Sequence, residues 1–338
     1  MKKKQLFKIS GTLHMVFRQK PFITLCLFAP LYALGQQSDL TKAAKALTDS
    51  PKIDTCKSWD IGGFVNVSFS QSSFSYWAAG GVNSLGLTSI VSVHANYHKK
   101  NKVSWLNDLE LGYGFQKSGE MPVQKTIDQI EATSSIGYQA FDHTSATFLA
   151  NFITQFQPGY SNAGDSVEIS NFMSPGYLVL AAGLNYKPDK ALSIFLSPIA
   201  ARFVFVENQV LADQGDYGVE PAVYNNSGML TQHGKKELTE VGAYFKGGYI
   251  KDLVKNISLS TTLELFSNYL KNPQDIVVNW TGMLNLKVTK YISASIQTQL
   301  IYDNNTLLPV YNEEGVLIGK GPRTQFKDVL GIGLAYKF

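Results

Sequence analysis

The last nine residues constrain the fold more than any other part of the chain. From Leu330 to Phe338, large apolar residues alternate with small or polar ones, and the final residue is aromatic. Alternation with a period of two is typical of a β-strand whose two faces meet different surroundings. In a transmembrane barrel those surroundings are lipid and an interior lumen. An edge strand of a soluble sheet is the alternative, although a soluble domain more often ends in a frayed polar tail.

The amino terminus has the pattern of a secretory signal. Six basic residues precede an apolar run from Phe22 to Leu34, and no acidic residue occurs before Asp39. A run of this length is too short for a membrane-spanning helix. We therefore expect residues 1–35 to be a cleaved signal peptide and residues 36–58 to be a periplasmic segment. Whether translation starts at Met1 or Met15 stays open.

Cleavage changes the charge of the protein. The whole chain has 30 basic and 26 acidic residues, so losing six basic ones leaves 24 minus 26, a balance of −2. A weakly acidic protein lacks the positive field that nucleic-acid binding needs, and no nucleic-acid partner is expected. Only Cys56 remains after cleavage, which excludes an intramolecular disulfide.

The mature chain is a series of alternating segments without an apolar run long enough for a spanning helix. Residues 84–97 and 103–115 are clear examples, with apolar residues at every second position. The pattern predicts an all-β chain over residues 59–338, a transmembrane antiparallel up-and-down β-barrel of about 12 strands. The predicted strands are 61–70, 84–97, 103–115, 130–138, 146–156, 178–186, 191–206, 241–249, 257–265, 278–288, 292–302 and the C-terminal strand.

The connections between these segments alternate between long and short. Short ones, such as 140–143, are expected to be periplasmic turns, and long ones, such as 206–236, external loops. This arrangement predicts that the protein lies in a Gram-negative outer membrane with both termini in the periplasm. Outer-membrane lipid is therefore an expected partner. Tyr336 and Phe338 are interpreted as the insertion signal that the barrel-assembly machinery reads in the C-terminal strand.

Charged residues occupy the face opposite the apolar series. The sequence predicts that they line the lumen, where they could border a permeation path or neutralise one another in a closed network. The two interpretations stay open, with a slight preference for a network around a narrow or gated path. The candidate lumen-lining residues are Asp108, Glu110, Glu131, Glu240, Lys246, Glu264 and Lys287.

The first long loop contains Trp77, Gly80 and Gly81. Paired glycines allow a sharp turn, and the tryptophan beside them could fold into the barrel mouth. These residues are candidates for a constriction of the lumen. The alternative is a clasp that only packs the loop against its own barrel.

Three sequence blocks resemble a family of outer-membrane proteins from Bacteroidetes-type bacteria, the domain of unknown function 3078. They are the stretch of residues 68–84 that contains Trp77-Ala-Ala-Gly-Gly81, the block Asn107–Phe115, and the region from Leu265 to Tyr302. The resemblance implies an outer-membrane β-barrel. It implies no substrate and transfers no catalytic residue.

The residues themselves provide little chemistry. His94 and His98 lie on one face of a strand but about 13 Å apart, too far to share a metal ion, and no hydrolase motif is present. We expect no catalytic residue, no metal site and no cofactor. The function expected is a narrow or gated conduit, or a binder of an unknown small molecule. A structural or surface-interaction barrel is the alternative, and an outer-membrane hydrolase a distant one.

Overall fold

The computed structural model describes residues 59–75, 82–99, 102–160, 167–289, 292–312 and 317–337. Twelve antiparallel strands form a closed barrel in these residues, and each strand pairs with its neighbours along the chain. The first and last strands pair with each other and close the ring. The predicted fold class and strand number are therefore confirmed.

Most barrel strands are longer than the sequence pattern predicted. Numbering all strands in chain order, they are β1 (Trp59–Ser72), β2 (Ser84–Lys99), β3 (Val103–Ser118), β4 (Gln124–Phe141), β5 (Thr144–Thr154), β8 (Gly176–Tyr186), β9 (Leu192–Phe205), β12 (Glu237–Val254), β13 (Ile257–Asn268), β14 (Ile276–Lys287), β15 (Ile292–Tyr302) and β18 (Gln325–Lys337). Strands β5 and β15 have the predicted length, and β9 is shorter.

The remaining elements lie in the loops. Three short hairpins pair β6 with β7, β10 with β11 and β16 with β17. Their bounds are β6 (Gly159–Tyr160), β7 (Glu168–Ser170), β10 (Val223–Tyr224), β11 (Leu230–Gln232), β16 (Leu307–Tyr311) and β17 (Leu317–Pro322). A five-residue helix, α1 (Gln209–Asp213), and a 3-10 turn (Asp216–Gly218) also belong to the loop that joins β9 to β12.

Apolar side chains cover the outside of the barrel. Along β18, for example, Phe326, Leu330, Ile332, Leu334 and Tyr336 are each more than 60% exposed. Polar and charged residues at the intervening positions of β3, β4 and β12 are buried in the interior. This is the reverse of a soluble sheet with an apolar core, and it is the distribution expected of a barrel surrounded by lipid.

Aromatic residues group on the outer surface near the short turns. The ring of Trp59 lies 5.2 Å from Tyr97 and 5.9 Å from Trp105, measured between centroids. Tyr138 and Tyr186, at the same end of their strands, are also exposed. Amphipathic rings favour the boundary between lipid and water, so these residues have the placement of an interfacial girdle.

Strand β9 contains a bulge that explains its irregular sequence pattern. Ser197 pairs with Tyr244 and Ala200 with Gly242, so β9 has one more residue here than β12. Pro198 lies in the bulge, where its missing N–H costs no ladder hydrogen bond. As a result Leu196 and Ile199 both face outward, at 56% and 68% exposed, and the inward series changes from odd to even numbers.

Long and short connections alternate as predicted, and they lie at opposite ends of the barrel. The turn at 142–143 and the turn at 255–256 are tight, whereas the loops 155–175, 206–236 and 303–324 each contain secondary structure. Three predicted long loops, 70–83, 116–126 and 267–275, are shorter than expected, and the one between β3 and β4 changes most. It spans 119–123 rather than 116–126, because β3 and β4 extend beyond their apolar stretches.

Several sequence-based predictions concern residues outside the described part of the chain. These are the signal peptide at 1–35, the segment at 36–58, the constriction candidates Trp77, Gly80 and Gly81, and the terminal Phe338. Among the described residues, no helix is both long and apolar enough to cross a membrane.

Candidate functional site: the lumen and its cap

The structure places the predicted lumen residues on the inner face of the barrel, at different depths. Glu110, Glu131, Glu240 and Lys246 are 2–4% exposed. Asp108 and Glu264 are partly buried, and Lys287 is exposed at the short-turn end of β14. Six of the seven predicted residues therefore lie within the barrel wall and the seventh at its rim.

Lys246 and Glu264 form an ion pair in the interior. They face each other across β12 and β13, and Lys246 Nζ lies 2.8 Å from Glu264 Oε1. The lysine side chain is 1% exposed and the glutamate side chain 15%. Burial of two charges is tolerated when each has a close partner of opposite sign, so this pair fixes both side chains against one wall.

Glu131 is held by amides instead of by a direct cation. Asn151 Nδ2 donates to Glu131 Oε1 at 2.7 Å and to Thr133 Oγ1 at 2.8 Å. Gln129 Nε2 donates to the other oxygen of Glu131 at 3.2 Å. The two donors come from β4 and β5, so this part of the interior is a polar network without bulk solvent around it.

A buried arginine joins two sides of the lumen. Arg202 on β9 donates from Nη1 to Glu240 Oε2 at 2.8 Å and from Nη2 to Asp303 Oδ2 at 2.9 Å. Asp303 follows β15, and β12, β13 and β14 separate β9 from β15 in the barrel. The guanidinium therefore bridges part of the barrel cross-section at the end where the long loops lie.

Further contacts stabilise this cluster of Arg202, Glu240 and Asp303. Glu240 Oε1 accepts from Asn268 at 3.1 Å and from Asn305 at 3.0 Å. The guanidinium carbon lies 5.2 Å from the ring centroid of Tyr177 and 6.0 Å from that of Phe266, within range of a cation–π interaction. Arg202 is thus held by two carboxylates and lies near two aromatic rings.

Apolar side chains fill the space beside the cluster. Leu149, Ala181, Phe195, Ala200, Tyr244 and Phe266 form a buried group that projects into the lumen from five strands. A cavity of about 60 Å³ remains between this group and the polar residues Asn151, Arg202, Glu264 and Asn279. Since a water needs roughly 10–15 Å³, the cavity has room for a few waters.

The long loop 206–236 folds over the barrel mouth. Val206, Leu211, Ala212 and Val219 are each 3% exposed or less and pack against Val204 at the end of β9. Asn208 caps helix α1 by accepting from the N–H of Val210. The loop therefore has its own small apolar core, which packs against the ends of β8, β9 and β12, and we call this loop the cap.

Asp213 fixes the return of this loop. Its carboxylate accepts from Gln209 at 2.8 Å and from the N–H of Gly234 at 2.7 Å, and it lies 3.0 Å from His233 Nδ1. Desolvation alone would raise the pKa of Asp213, but these hydrogen bonds and the histidine outweigh it and lower the pKa below its ordinary value. The ionised carboxylate is therefore the form that closes the loop.

Other contacts tie the cap to neighbouring loops. Asn208 donates to Glu168 at 2.8 Å, and the Tyr217 hydroxyl donates to the carbonyl of Ile169. Gly218, with φ of +87°, contacts Asn305, where a Cβ would lie 2.8 Å from that residue. The loops 155–175, 206–236 and 303–324 thus form a single cap.

The sequence identified the acidic half of the lumen but missed its main cation and the cap. The bulge at Pro198 changes the parity of β9, so a fixed period does not place Arg202 in the lumen. Asp303 lies just beyond a strand and was assigned to a loop. Among the described residues, no group of three or more His, Cys, Asp and Glu side chains is placed to hold a metal ion.

Comparison with known proteins bears out the family resemblance over part of the chain. A family model described as "Protein of unknown function (DUF3078)" matches residues 69–160. This match runs from the last residues of β1 to the start of the β6–β7 hairpin and includes the Trp77-Ala-Ala-Gly-Gly81 block. None of the curated proteins compared with the chain matches it.

Several solved structures are similar to this chain at low identity. An outer membrane channel from Pseudomonas putida F1 has 14% identity and a TM-score of 0.38, and the match covers 86% of this chain and 99% of that one. The translocator domain of the autotransporter NalP from Neisseria meningitidis has 12% identity and a TM-score of 0.36, covering 88% and 93%. Outer membrane phospholipase A from Escherichia coli has 11% identity and a TM-score of 0.35, covering 86% and 95%.

Proposed function

We propose that this chain is a gated conduit of the Gram-negative outer membrane, closed in the conformation described here, for small polar solutes. Both termini would face the periplasm and the cap the exterior. The role proposed is non-enzymatic. Outer-membrane lipid would surround the apolar exterior, and the barrel-assembly machinery would insert the chain through its C-terminal strand.

The observation that carries the proposal is the bridge from Arg202 to Asp303. It links the barrel wall to the base of the loop 303–324. Because this bridge is one side-chain contact, from Arg202 Nη2 to Asp303 Oδ2, it can break without disturbing the hydrogen-bond ladder of the barrel. A small movement of this loop would remove Asp303 from the lumen.

The chemistry of the interior also favours a conduit over a purely structural barrel. Buried ion pairs often contribute no more stability than well-packed apolar residues of similar volume. A barrel that needed only to be stable could fill its interior with apolar side chains. This one retains Glu110, Glu131, Glu240, Lys246 and Arg202 in buried positions, which suits a path that becomes wet when it opens.

A structural or surface-interaction barrel is the second candidate. The observation that favours it is the ordered cap, whose exposed hairpin β10–β11 and adjoining residues offer an external surface. In this case the cluster of Arg202, Glu240 and Asp303 would hold the cap permanently closed. The two functions differ in whether the lumen can conduct.

Ion conductance in planar bilayers separates them. We expect the intact protein to conduct weakly or in rare openings, and Asp303→Asn, which weakens the bridge, to raise the open probability or the conductance at least several-fold. Glu220→Gln is the matched control, since it breaks an exposed ion pair with Lys235 in the same cap. It should leave the conductance unchanged. No conductance from the intact protein or from Asp303→Asn would exclude the conduit and leave the structural role.

A further inference from the structure

A cavity in the lumen is lined by polar groups whose hydrogen-bonding capacity is unused. The cavity, of about 60 Å³ beside Arg202, lies among side chains from six consecutive barrel strands, β5, β8, β9, β12, β13 and β14. The register explains how these side chains meet. Asn151 pairs with Val179 across β5 and β8, and Glu264 pairs with Asn279 across β13 and β14. Both sides of the cavity thus supply an amide side chain.

Each of the two amides has one end free. Asn151 donates from Nδ2 to Glu131 and to Thr133, so its Oδ1 remains as an acceptor. Asn279 accepts from Gln299 at Oδ1, so its Nδ2 remains as a donor. Among the residues that the structure describes, neither remaining atom has a hydrogen-bond partner. Because Asn151 and Asn279 are only 6% and 5% exposed, an occupant of the cavity must both donate and accept hydrogen bonds.

Tyr177 supplies a third polar group at the cavity. Its hydroxyl, which can both donate and accept, forms no hydrogen bond with any described part of the chain. The other side of the cavity is apolar and includes Val179, Phe266 and Val277. A few convergent polar groups beside an apolar wall are typical of a site for a small molecule.

The charges at the cavity favour a neutral occupant. Arg202 and Glu264, the charged side chains that line it among the described residues, have opposite signs. Both are already paired, since Glu264 lies 2.8 Å from Lys246 and Arg202 is bound by Glu240 and Asp303. A charged solute in the cavity would therefore lack a counter-charge, and a buried charge without one is unfavourable.

Water alone satisfies this cavity poorly. A buried water forms about three hydrogen bonds, and waters placed against Val179, Phe266 and Val277 would lack partners on that side. A small polyol meets both kinds of wall. Its carbons contact the apolar side chains, while its hydroxyls, which donate and accept as water does, take the positions of the waters at the two amides and the phenol.

We propose that this cavity is a binding subsite for a neutral polyol of the size of glycerol. Asn151 accepts from one hydroxyl, Asn279 donates to a second, and Tyr177 binds the third. Arg202 lines the same cavity, so breaking its contact with Asp303 opens the site toward the long loops. The inference rests on the proposed function in taking the lumen as the route to the cavity, and it names the class of solute that the conduit passes.

Saturation-transfer difference NMR on the full protein in lipid nanodiscs measures the binding. The four probes share a three-carbon skeleton and differ in charge or in the number of hydroxyls: glycerol, the cation aminopropanediol, the anion glycerate, and propanol with a single hydroxyl. We expect saturable binding of glycerol and at least fivefold weaker binding of the other three. The series is repeated with Asp303→Asn, in which the weakened bridge gives the probes access to the cavity.

Two matched pairs of variants locate the bound glycerol. Val277→Phe fills the cavity and should weaken binding at least tenfold, whereas Val278→Phe places the same ring on the outer face at the next position and should leave binding unchanged. Tyr177→Phe removes one hydroxyl from the cavity and should weaken binding about fivefold. Tyr224→Phe removes a hydroxyl from the exposed hairpin β10–β11 and should have no effect.

Three results would overturn the proposal. The first is the absence of saturable glycerol binding in both the intact protein and Asp303→Asn, which would leave the cavity to water. The second is binding of aminopropanediol or glycerate as tight as that of glycerol, and the third is equal affinity in Val277→Phe and Val278→Phe. If Val277→Phe does not fold, equal affinity in Tyr177→Phe and Tyr224→Phe is the contradicting result instead.

This experiment separates the subsite from the conduit. Glycerol binding without ion conductance in planar bilayers would contradict the conduit and retain the subsite. Conductance without glycerol binding would contradict the subsite alone.

Discussion

Replacing Arg202 by methionine tests the buried charge cluster of Arg202, Glu240 and Asp303. The change removes the cation shared by Glu240 and Asp303, both less than 10% exposed, and leaves two carboxylates buried near each other. Removing one member of a buried ion pair costs about 3–5 kcal/mol, because the remaining charge is uncompensated. Glu240 keeps its hydrogen bonds from Asn268 and Asn305, and methionine keeps the contact with the rings of Tyr177 and Phe266. We therefore expect the low end of this range, about 3 kcal/mol.

The free energy of unfolding is measured by urea titration in vesicles, with tryptophan fluorescence as the signal. A triple variant, Arg202→Met with Glu240→Gln and Asp303→Asn, separates charge from packing. It removes the orphaned carboxylates and should recover most of the loss. Lys235→Met, which breaks an exposed pair in the cap, should leave stability unchanged within error. A negligible cost for Arg202→Met, or no recovery in the triple variant, would refute the reasoning.

The remaining predictions concern the lipid face, the cap, the terminal strand and ion selectivity. Leu284→Arg, on the outward face of β14, should destabilise by about 2–4 kcal/mol in lipid, whereas Asn285→Arg on the inward face should cost much less; equal costs in the same urea titration would mean that the faces are misassigned. Because the pKa of Asp213 is lowered, its ionised carboxylate stabilises the cap above the ordinary aspartate pKa of 3.8, and this contribution is lost progressively as the pH falls below that value. Proteolysis of the loop 206–236 should therefore accelerate on acidification. Asp213→Asn should show this fast cleavage already at pH 7. Deleting Phe338 should reduce insertion measured as outer-membrane abundance, and normal abundance would contradict its role as a signal. If the protein conducts, neutralising Glu110, Glu131 and Glu264 together should lower its preference for cations, because fixed charges set the electrostatic potential that an ion meets in a pore. The preference is measured as a reversal potential in a salt gradient. An unchanged reversal potential would mean that the conduction path does not pass these residues.

The barrel was predictable because its signal is repeated in every strand. Period-two alternation in segments such as 84–97 and 103–115 follows directly from strand geometry. The alternation of loop lengths predicts the up-and-down order of the strands. The lumen acids Glu110, Glu131 and Glu240 followed from the same rule, since each lies opposite an apolar series. The outward position of the apolar residues of β18, from Phe326 to Tyr336, follows from the same alternation alone.

The pairing of the charges was not predictable in the same way. Arg202 follows the bulge at Pro198, where one inserted residue exchanges the inner and outer faces. Asp303 reaches Arg202 only because loop 303–324 turns back toward the lumen, and the burial of Leu211 and Val219 depends on how loop 206–236 folds. These are contacts between segments far apart in the chain, and local periodicity contains no information about them.

The most direct test of a transmembrane barrel is where the protein is found and how it migrates on a gel. Membranes from expressing cells are separated by density, and the protein is run in sodium dodecyl sulfate with and without heating. A closed barrel whose apolar face lies in lipid should fractionate with the outer membrane and should migrate differently after boiling, because detergent does not unfold it at room temperature. Recovery in the soluble periplasm, with the same migration before and after heating, would contradict the account.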